Sequence, residues 1–117
     1  MTALFRALSA SALGLVLVAC GSARRSAPLV GPFVPEKAAQ ARGEHVFFEF
    51  CHQCHPGGEA GLGPAINDKP LPGSAIRTQV RMGVGAMPSF SEEEIADKEL
   101  DDLVEYTTGL RAHGAQN

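Results

Sequence analysis

The chain has no tryptophan, one tyrosine and only three cysteines among its 117 residues. An odd number of cysteines makes a pure disulfide framework a poor account of stability. Aromatic residues make up just 6%, so the large side chains that usually dominate a core are scarce. Positive charge is also short. Ten lysines and arginines stand against 13 acids, for a net charge of −3, with no basic stripe of the kind that follows a phosphate backbone. This balance argues against a nucleic-acid binder. The longest apolar run, Ala7–Ala19, falls short of the roughly 17–25 residues a helix needs to cross a bilayer. With 44% hydrophobic and 20% charged residues, the chain is nevertheless of folding composition rather than disordered.

That short run has the form of an export signal. Arg6 and the α-amino group make a positive start, and the run ends Leu17-Val18-Ala19-Cys20, followed by Gly21. The tetrapeptide resembles a bacterial lipobox. The resemblance implies removal of residues 1–19 as a lipoprotein signal peptide, lipidation of Cys20 and acylation of the new N-terminus. Several acyl chains anchor stably where one does not. The alternative is ordinary cleavage nearby, with Cys20 lost or left free. Residues 20–35 then form a lipidated cysteine and flexible tether; Gly21–Pro35 carries three prolines, two glycines and Arg24-Arg25. Fifteen such residues span on the order of 20 Å as flexible coil. The expected location is the periplasmic side of a bacterial membrane, inner or outer, with a folded domain over 36–112 and a disordered tail over 113–117.

Within that domain, Pro35 suits a first helical position and Glu36 an electropositive first turn. Lys37–Phe50 reads as a helix with Ala38, Ala39, Ala41, Val46, Phe47 and Phe50 apolar. Gly43 interrupts it at a cost of about 1 kcal/mol relative to alanine, which calls for a packing reason such as close approach of another helix. His55–Gly73 has the proline and glycine content of loops. Ser74 is an N-cap candidate for a short helix through Met82, with Ile76 and Val80 inward and Gly83 as the stop. Ser91-x-x-Glu94 matches a capping box. Asp97 can cap a last helix, Lys98–Arg111, whose apolar stripe is Leu100, Leu103, Val104, Thr107 and Leu110. No strand pattern and no internal repeat is present.

A domain below roughly 70–80 residues usually needs a staple, and Cys51-His52-Gln53-Cys54-His55 supplies one. Two thiols two residues apart on a helical turn can each form a thioether to one porphyrin, and the adjacent histidine then faces the iron. This pattern reads as c-type haem attachment, with Cys51 and Cys54 as thioethers and His55 as proximal ligand. A thioredoxin-like site would need a βαβ context. A structural zinc site needs four ligands; His45, His52 and His113 are poor substitutes for a second cysteine pair. A plain disulfide leaves His55 unexplained. For the distal position only Met82 and Met87 lie downstream. Pro88 holds Met87 extended among glycines that allow close backbone approach, whereas Met82 ends a helix and looks like packing. Met87 is therefore the expected distal ligand, with His45 and His52 on the surface.

These residues carry a family likeness. Gly43-x-x-x-Phe47-x-x-x-Cys51-x-x-Cys54-His55, Gly63-Pro64, Met87-Pro88 and Leu103-x-x-Tyr106 together resemble class I bacterial cytochromes c over about residues 35–112. The resemblance implies an all-α cytochrome c fold of three to five helices around one covalent haem c. It further implies that Gly43 and Phe47 cross the last helix near Leu103 and Tyr106, and that the Pro64 carbonyl accepts the Nδ1–H of His55. Many members place a tryptophan at a haem propionate. This chain has none, and Arg77 or, preferentially, Arg81 is the candidate in its place.

The expected function is electron transfer by a membrane-anchored periplasmic mono-haem cytochrome with His55/Met87 ligation. Such an iron has no open site, so the domain should not itself be an enzyme. Its partners are redox proteins and, through Cys20, the membrane; it acts as a monomer or as a subunit of a larger complex. The alternatives are a cytochrome subunit of a periplasmic dehydrogenase or oxidase, a haem sensor or peroxidase-like site, and a non-haem structural lipoprotein. Eight acids lie between Glu92 and Glu105. They read as a solvated helix face and loop, with a patch orienting a basic partner as the sharper alternative.

Overall fold

The computed structural model describes residues 32–114. The segments expected to be the signal peptide, the lipidated Cys20, the tether up to residue 31 and the last three residues of the tail lie outside the described residues. The described part is all-α: α1 (Ala38–Phe50), a 3₁₀ turn (Pro56–Gly58), α2 (Gly73–Met82) and α3 (Asp97–Gly114). An isolated pairing of Val84 with Met87 is the one β-bridge among these residues.

α1 and α3 form the frame. They cross at Gly43, where backbone meets backbone: a Cβ there would run into the carbonyl of Asp102 and stand 2.9 Å from the Leu103 nitrogen. The missing side chain lets Phe47, fully buried at 0% exposure, reach Leu103, Tyr106 and the rest of one core with Val46, Val80, Ile95, Leu100 and Leu110. Truncating a side chain such as Phe47 to alanine costs about 3–5 kcal/mol in a packed core. Beside the crossing, Arg42 grips the buried Asp102 with two hydrogen bonds, Nε to Oδ2 at 2.7 Å and Nη2 to Oδ1 at 2.9 Å. α2 leans on α3 where Gly73 meets Val104, and the Arg77–Asp101 and Arg81–Asp97 pairs tie the two helices together.

Several boundaries differ from the sequence expectation, each for a local reason. α1 starts at Ala38 rather than using Pro35 as its first residue; the Gln40 side chain folds back to accept the backbone N–H groups of Glu36 at 3.1 Å and Lys37 at 3.2 Å. The tether ends earlier than expected. Phe33 is seated on the domain, its ring 5.5 Å from that of Tyr106 and 5.7 Å from that of His113, over the gap left by Gly109. α2 begins at Gly73 with Pro72 as N-cap, so Ser74 lies inside the first turn, its carbonyl accepting from Thr78. Asp97 is the first residue of α3, not its cap: its carboxylate goes to Arg81, and Glu99 accepts the Ala96 N–H instead. α3 also runs on through His113 and Gly114, which the sequence placed in the tail. Ser91 and Glu94 do form the expected turn, with the Ser91 N–H donating to Glu94 at 2.8 Å.

Helix propensity alone makes Gly43→Ala stabilising by about 1 kcal/mol. The crossing reverses the sign: we expect a loss of roughly 1–3 kcal/mol from overpacking, read from urea unfolding. A second expectation concerns acid. The Arg42 hydrogen bond holds the Asp102 carboxyl below its usual range, against the opposing effect of burial. A depressed folded-state value means that this stabilisation is present above the ordinary carboxylate value of about 4 and is lost as pH falls through the folded one. Asp102→Asn should lower stability at neutral pH and flatten the acid limb of a stability–pH profile, while leaving the alkaline limb unchanged.

Candidate functional site

α1 ends at Phe50, and the chain keeps turning: the N–H groups of Cys54 and His55 both reach the Cys51 carbonyl, at 3.1 and 2.9 Å. This extra turn sets the two cysteines and the histidine on one short coil. Both thiols are free and half-buried. Burial, and after it the neighbouring Cys54, push the Cys51 thiol up to about 12. A thiol so disposed is neutral at physiological pH, the opposite of the low-pKa cysteine of a redox Cys-x-x-Cys site. Among the described residues no cluster of three or more metal-binding side chains occurs, so the zinc alternative finds no second set of ligands.

His55 is buried, and its ring is fixed from two directions. Nδ1 stands 2.8 Å from the Pro64 carbonyl oxygen. A carbonyl only accepts, so Nδ1–H is the donor to Pro64 and Nε2 is the ring nitrogen left for a metal. The flat side of the ring rests on Gly63, where a Cβ would stand 2.9 Å from both ring nitrogens. The loop delivering Gly63 and Pro64 is itself tied to the motif through Gly63 N–H to the Cys54 carbonyl at 3.0 Å. His52 departs from its expected surface role: its Nδ1 accepts the Gly57 N–H at 3.1 Å and its ring stacks on Phe48 at 4.6 Å, holding the turn that follows the motif. His45 is exposed, as expected.

Met87 is half-buried and packs against the core, while Met82 is 74% exposed. Met82 is thus not a packing residue. It lies two residues, or about 200°, beyond the inward Val80 on a 3.6-residue helix. Met87 sits on a small hairpin, its N–H donating to the Val84 carbonyl at 3.0 Å and its own carbonyl accepting from Val84 at 3.2 Å. Gly83 and Gly85, with φ of +68° and +60°, make the turns that L side chains resist. Phe90, after the hairpin, meets Phe50 edge-on at 5.7 Å, so the hairpin and the cysteine turn touch through neighbouring aromatics.

Arg81, the residue expected at a haem propionate, is held by the fold. Its guanidinium donates to the carbonyls of Phe90 and Ser91, at 3.2 and 3.0 Å, and to Asp97 at 2.7 Å. Arg77 is paired with Asp101. Both arginines thus serve the fold. No sequence signal announced the Arg81 contacts, because its acceptors are backbone oxygens nine and ten residues away.

The donor set can now be weighed as a whole. Two free thiols with two residues between them, an imidazole with Nε2 free and Nδ1 supported, and a thioether on a glycine-rich hairpin are the groups a covalently attached, axially ligated haem requires. Comparison with known proteins agrees. A family model described as cytochrome C oxidase, cbb3-type, subunit III matches residues 38–106.

The chain belongs to this family of cytochrome c domains.

Its curated relatives include the cytochrome c subunit of the Pseudomonas putida 4-cresol dehydrogenase (hydroxylating), 35% identical over 63% of this chain. The chain spans 65% of that relative's length. Cytochrome c6 of Cyanidioschyzon merolae is 36% identical over 63% of this chain and 77% of its own length, and that of Bryopsis maxima is 38% identical over 55% and 83%. No solved structure matches the chain. The cytochrome is thus an electron-transfer domain that carries one covalent haem c.

Proposed function

We propose that this cytochrome is a mono-haem electron carrier, membrane-anchored on the periplasmic side, with Cys51 and Cys54 as thioether attachments, His55 as proximal and Met87 as distal ligand. The observation that carries the site assignment is the His55 ring, pinned between Gly63 and the Pro64 carbonyl so that Nε2 is the free nitrogen beside two free thiols. Haem c, when bound, supplies the one-electron ferric–ferrous couple. The chain does the rest. The Pro64 carbonyl raises the basicity of His55 and fixes its orientation. The frame of α1 and α3 keeps the cysteine turn from moving as charge changes. The hairpin presents the Met87 thioether, a soft donor whose pairing with histidine favours a high reduction potential. With both axial positions filled by the protein, the site has no place for a substrate, which fits an electron carrier rather than an enzyme.

The anchor rests on Leu17-Val18-Ala19-Cys20-Gly21. An exported chain also suits thioether formation, which bacteria carry out beyond the cytoplasm. A second reading is favoured by the likeness to a dehydrogenase cytochrome subunit: the domain serves as the electron-exit subunit of a periplasmic oxidoreductase, with the same site and a permanent partner.

Two measurements test the proposal. A denaturing gel stained for haem should colour the wild-type band and leave the Cys51→Ser/Cys54→Ser double variant colourless. The reduced wild type should bind CO slowly at neutral pH and Met87→Ala rapidly; rapid CO binding by the wild type would remove Met87 from the iron. For the anchor, Cys20→Ser should shift the protein from the detergent-extracted membrane fraction to the soluble periplasmic fraction. A wild type already soluble would reject lipidation.

A further inference from the structure

The segment bearing Met87 has little hydrophobic cover. Between Gly83 and Ser89, Gly83 and Met87 are partly covered, and Val84, Gly85, Ala86, Pro88 and Ser89 are exposed. The two hydrogen bonds between Val84 and Met87 fix Met87 relative to its own hairpin, not relative to the domain. Apart from the packing of Met87 itself on the core, what attaches the hairpin to the domain lies at its two ends. At the entrance the Gly83 N–H donates to the Gln79 carbonyl at 2.8 Å, ending α2. At the exit three contacts converge on Phe90: its N–H donates to the Val80 carbonyl at 2.9 Å, its ring meets Phe50, and its carbonyl accepts from Arg81. Arg81 also donates to the Ser91 carbonyl and to Asp97. One side chain therefore joins the last turn of α2, the hairpin exit and the first residue of α3.

We propose that Arg81 is a positioning residue for the distal ligand. It clamps the exit of the Gly83–Phe90 hairpin, so that Met87 is held at the distance the iron needs and does not swing out with its exposed loop. The proposal rests on the reading of Met87 as distal ligand. A helix-surface arginine paired with Asp97 alone would do little, since exposed ion pairs are weak. Arg81 is different because its side chain is only 22% exposed and because one nitrogen, Nη1, serves two consecutive carbonyls while Nη2 takes the carboxylate. Hydrogen bonds from a charged donor are the strong class. The planar fork reaches three acceptors in fixed directions, which the single nitrogen of lysine does not. The clamp acts on the ligand side of the haem site alone, because the cysteine turn is held separately by α1 and by the Gly63–Cys54 bond.

The test uses the haem-loaded protein in four forms: wild type, Arg81→Ala, Arg81→Lys and Met87→Ala. Arg81→Ala should bind CO in the ferrous state about tenfold faster or more, the scale set by losing charged hydrogen bonds, and its reduction potential should fall. Amide exchange at Val84 and Met87 should accelerate to a similar degree, while far-UV circular dichroism stays at the wild-type value. Arg81→Lys, keeping the Asp97 contact but not both carbonyls, should lie between wild type and Arg81→Ala in all three readouts. Wild-type CO binding, potential and exchange in Arg81→Ala overturn the proposal. Should Arg81→Ala fail to fold, Arg81→Lys decides alone: faster CO binding at unchanged helical content supports the clamp, and wild-type behaviour overturns it. Met87→Ala separates the two layers. If it binds CO no faster than wild type, the ligand assignment itself fails. If it responds and the Arg81 variants do not, only the role of Arg81 is lost.

Discussion

At Gly43 the backbone of α1 lies against the backbone of α3, and there is no room between them for a methyl group. From this contact the rest of the domain takes its positions. The close approach sets Phe47 among Leu103, Tyr106 and Leu110. It also brings Arg42 onto Asp102, whose burial is offset chiefly by the two guanidinium nitrogens that meet it. With the angle and register of α1 fixed, the end of the helix is fixed too, and with it the turn that carries Cys51, Cys54 and His55. α3 in turn supports α2 through Val104, Asp101 and Asp97. The Met87 hairpin hangs from α2, so it and the cysteine turn both refer back to one helix crossing.

Much of this was legible in the sequence, because the decisive signals are local. Cys51-x-x-Cys54-His55 needs no tertiary information. Gly43 announced itself as a cost without a local benefit, and the crossing accounts for it. The helices were found from apolar spacing, and Gly83 stopped α2 where expected. The errors share a different cause. Gln40 capping α1, Glu99 capping α3 and Arg81 holding Phe90 and Ser91 all depend on a polar side chain choosing a backbone partner. Residue type alone allows many such choices. Phe33 was assigned to the tether because prolines and glycines surround it, yet the space above Gly109 accepts its ring. That space exists only once α3 is folded. Methionine at a helix end suggests gap-filling packing, whereas the angular offset of Met82 from Val80 points it outward.

Charge tells a similar story of local saturation. Among the described residues, each of the seven lysines and arginines is engaged: Lys37 with Glu105, Arg42 and Lys98 with Asp102, Lys69 with Asp68, Arg77 with Asp101, Arg81 with Asp97, and Arg111 with the carbonyls of Lys69 and Leu71. The acids around α3, which in sequence resemble a patch awaiting a basic partner, are largely occupied from within, and Glu94 and Glu99 are used as caps. Their first task is to hold α1, α2 and the loops against α3. The individual exposed pairs contribute little, but together they fix which face of each helix meets the next.

The seat of Phe33 has a mechanical consequence. The described chain begins at Pro32, close before the start of α1, while the thiols stand beyond the other end of that helix, about 20 Å away along its 13 residues. Any pull arriving along the chain from that side is taken first by Phe33 against Tyr106 and Gly109, and so passes into α3 before it reaches the axis of α1. The N-terminal side of the domain is thus fastened to α3 at the end of α1 opposite the coil that carries Cys51, Cys54 and His55, and the two attachments share no residue.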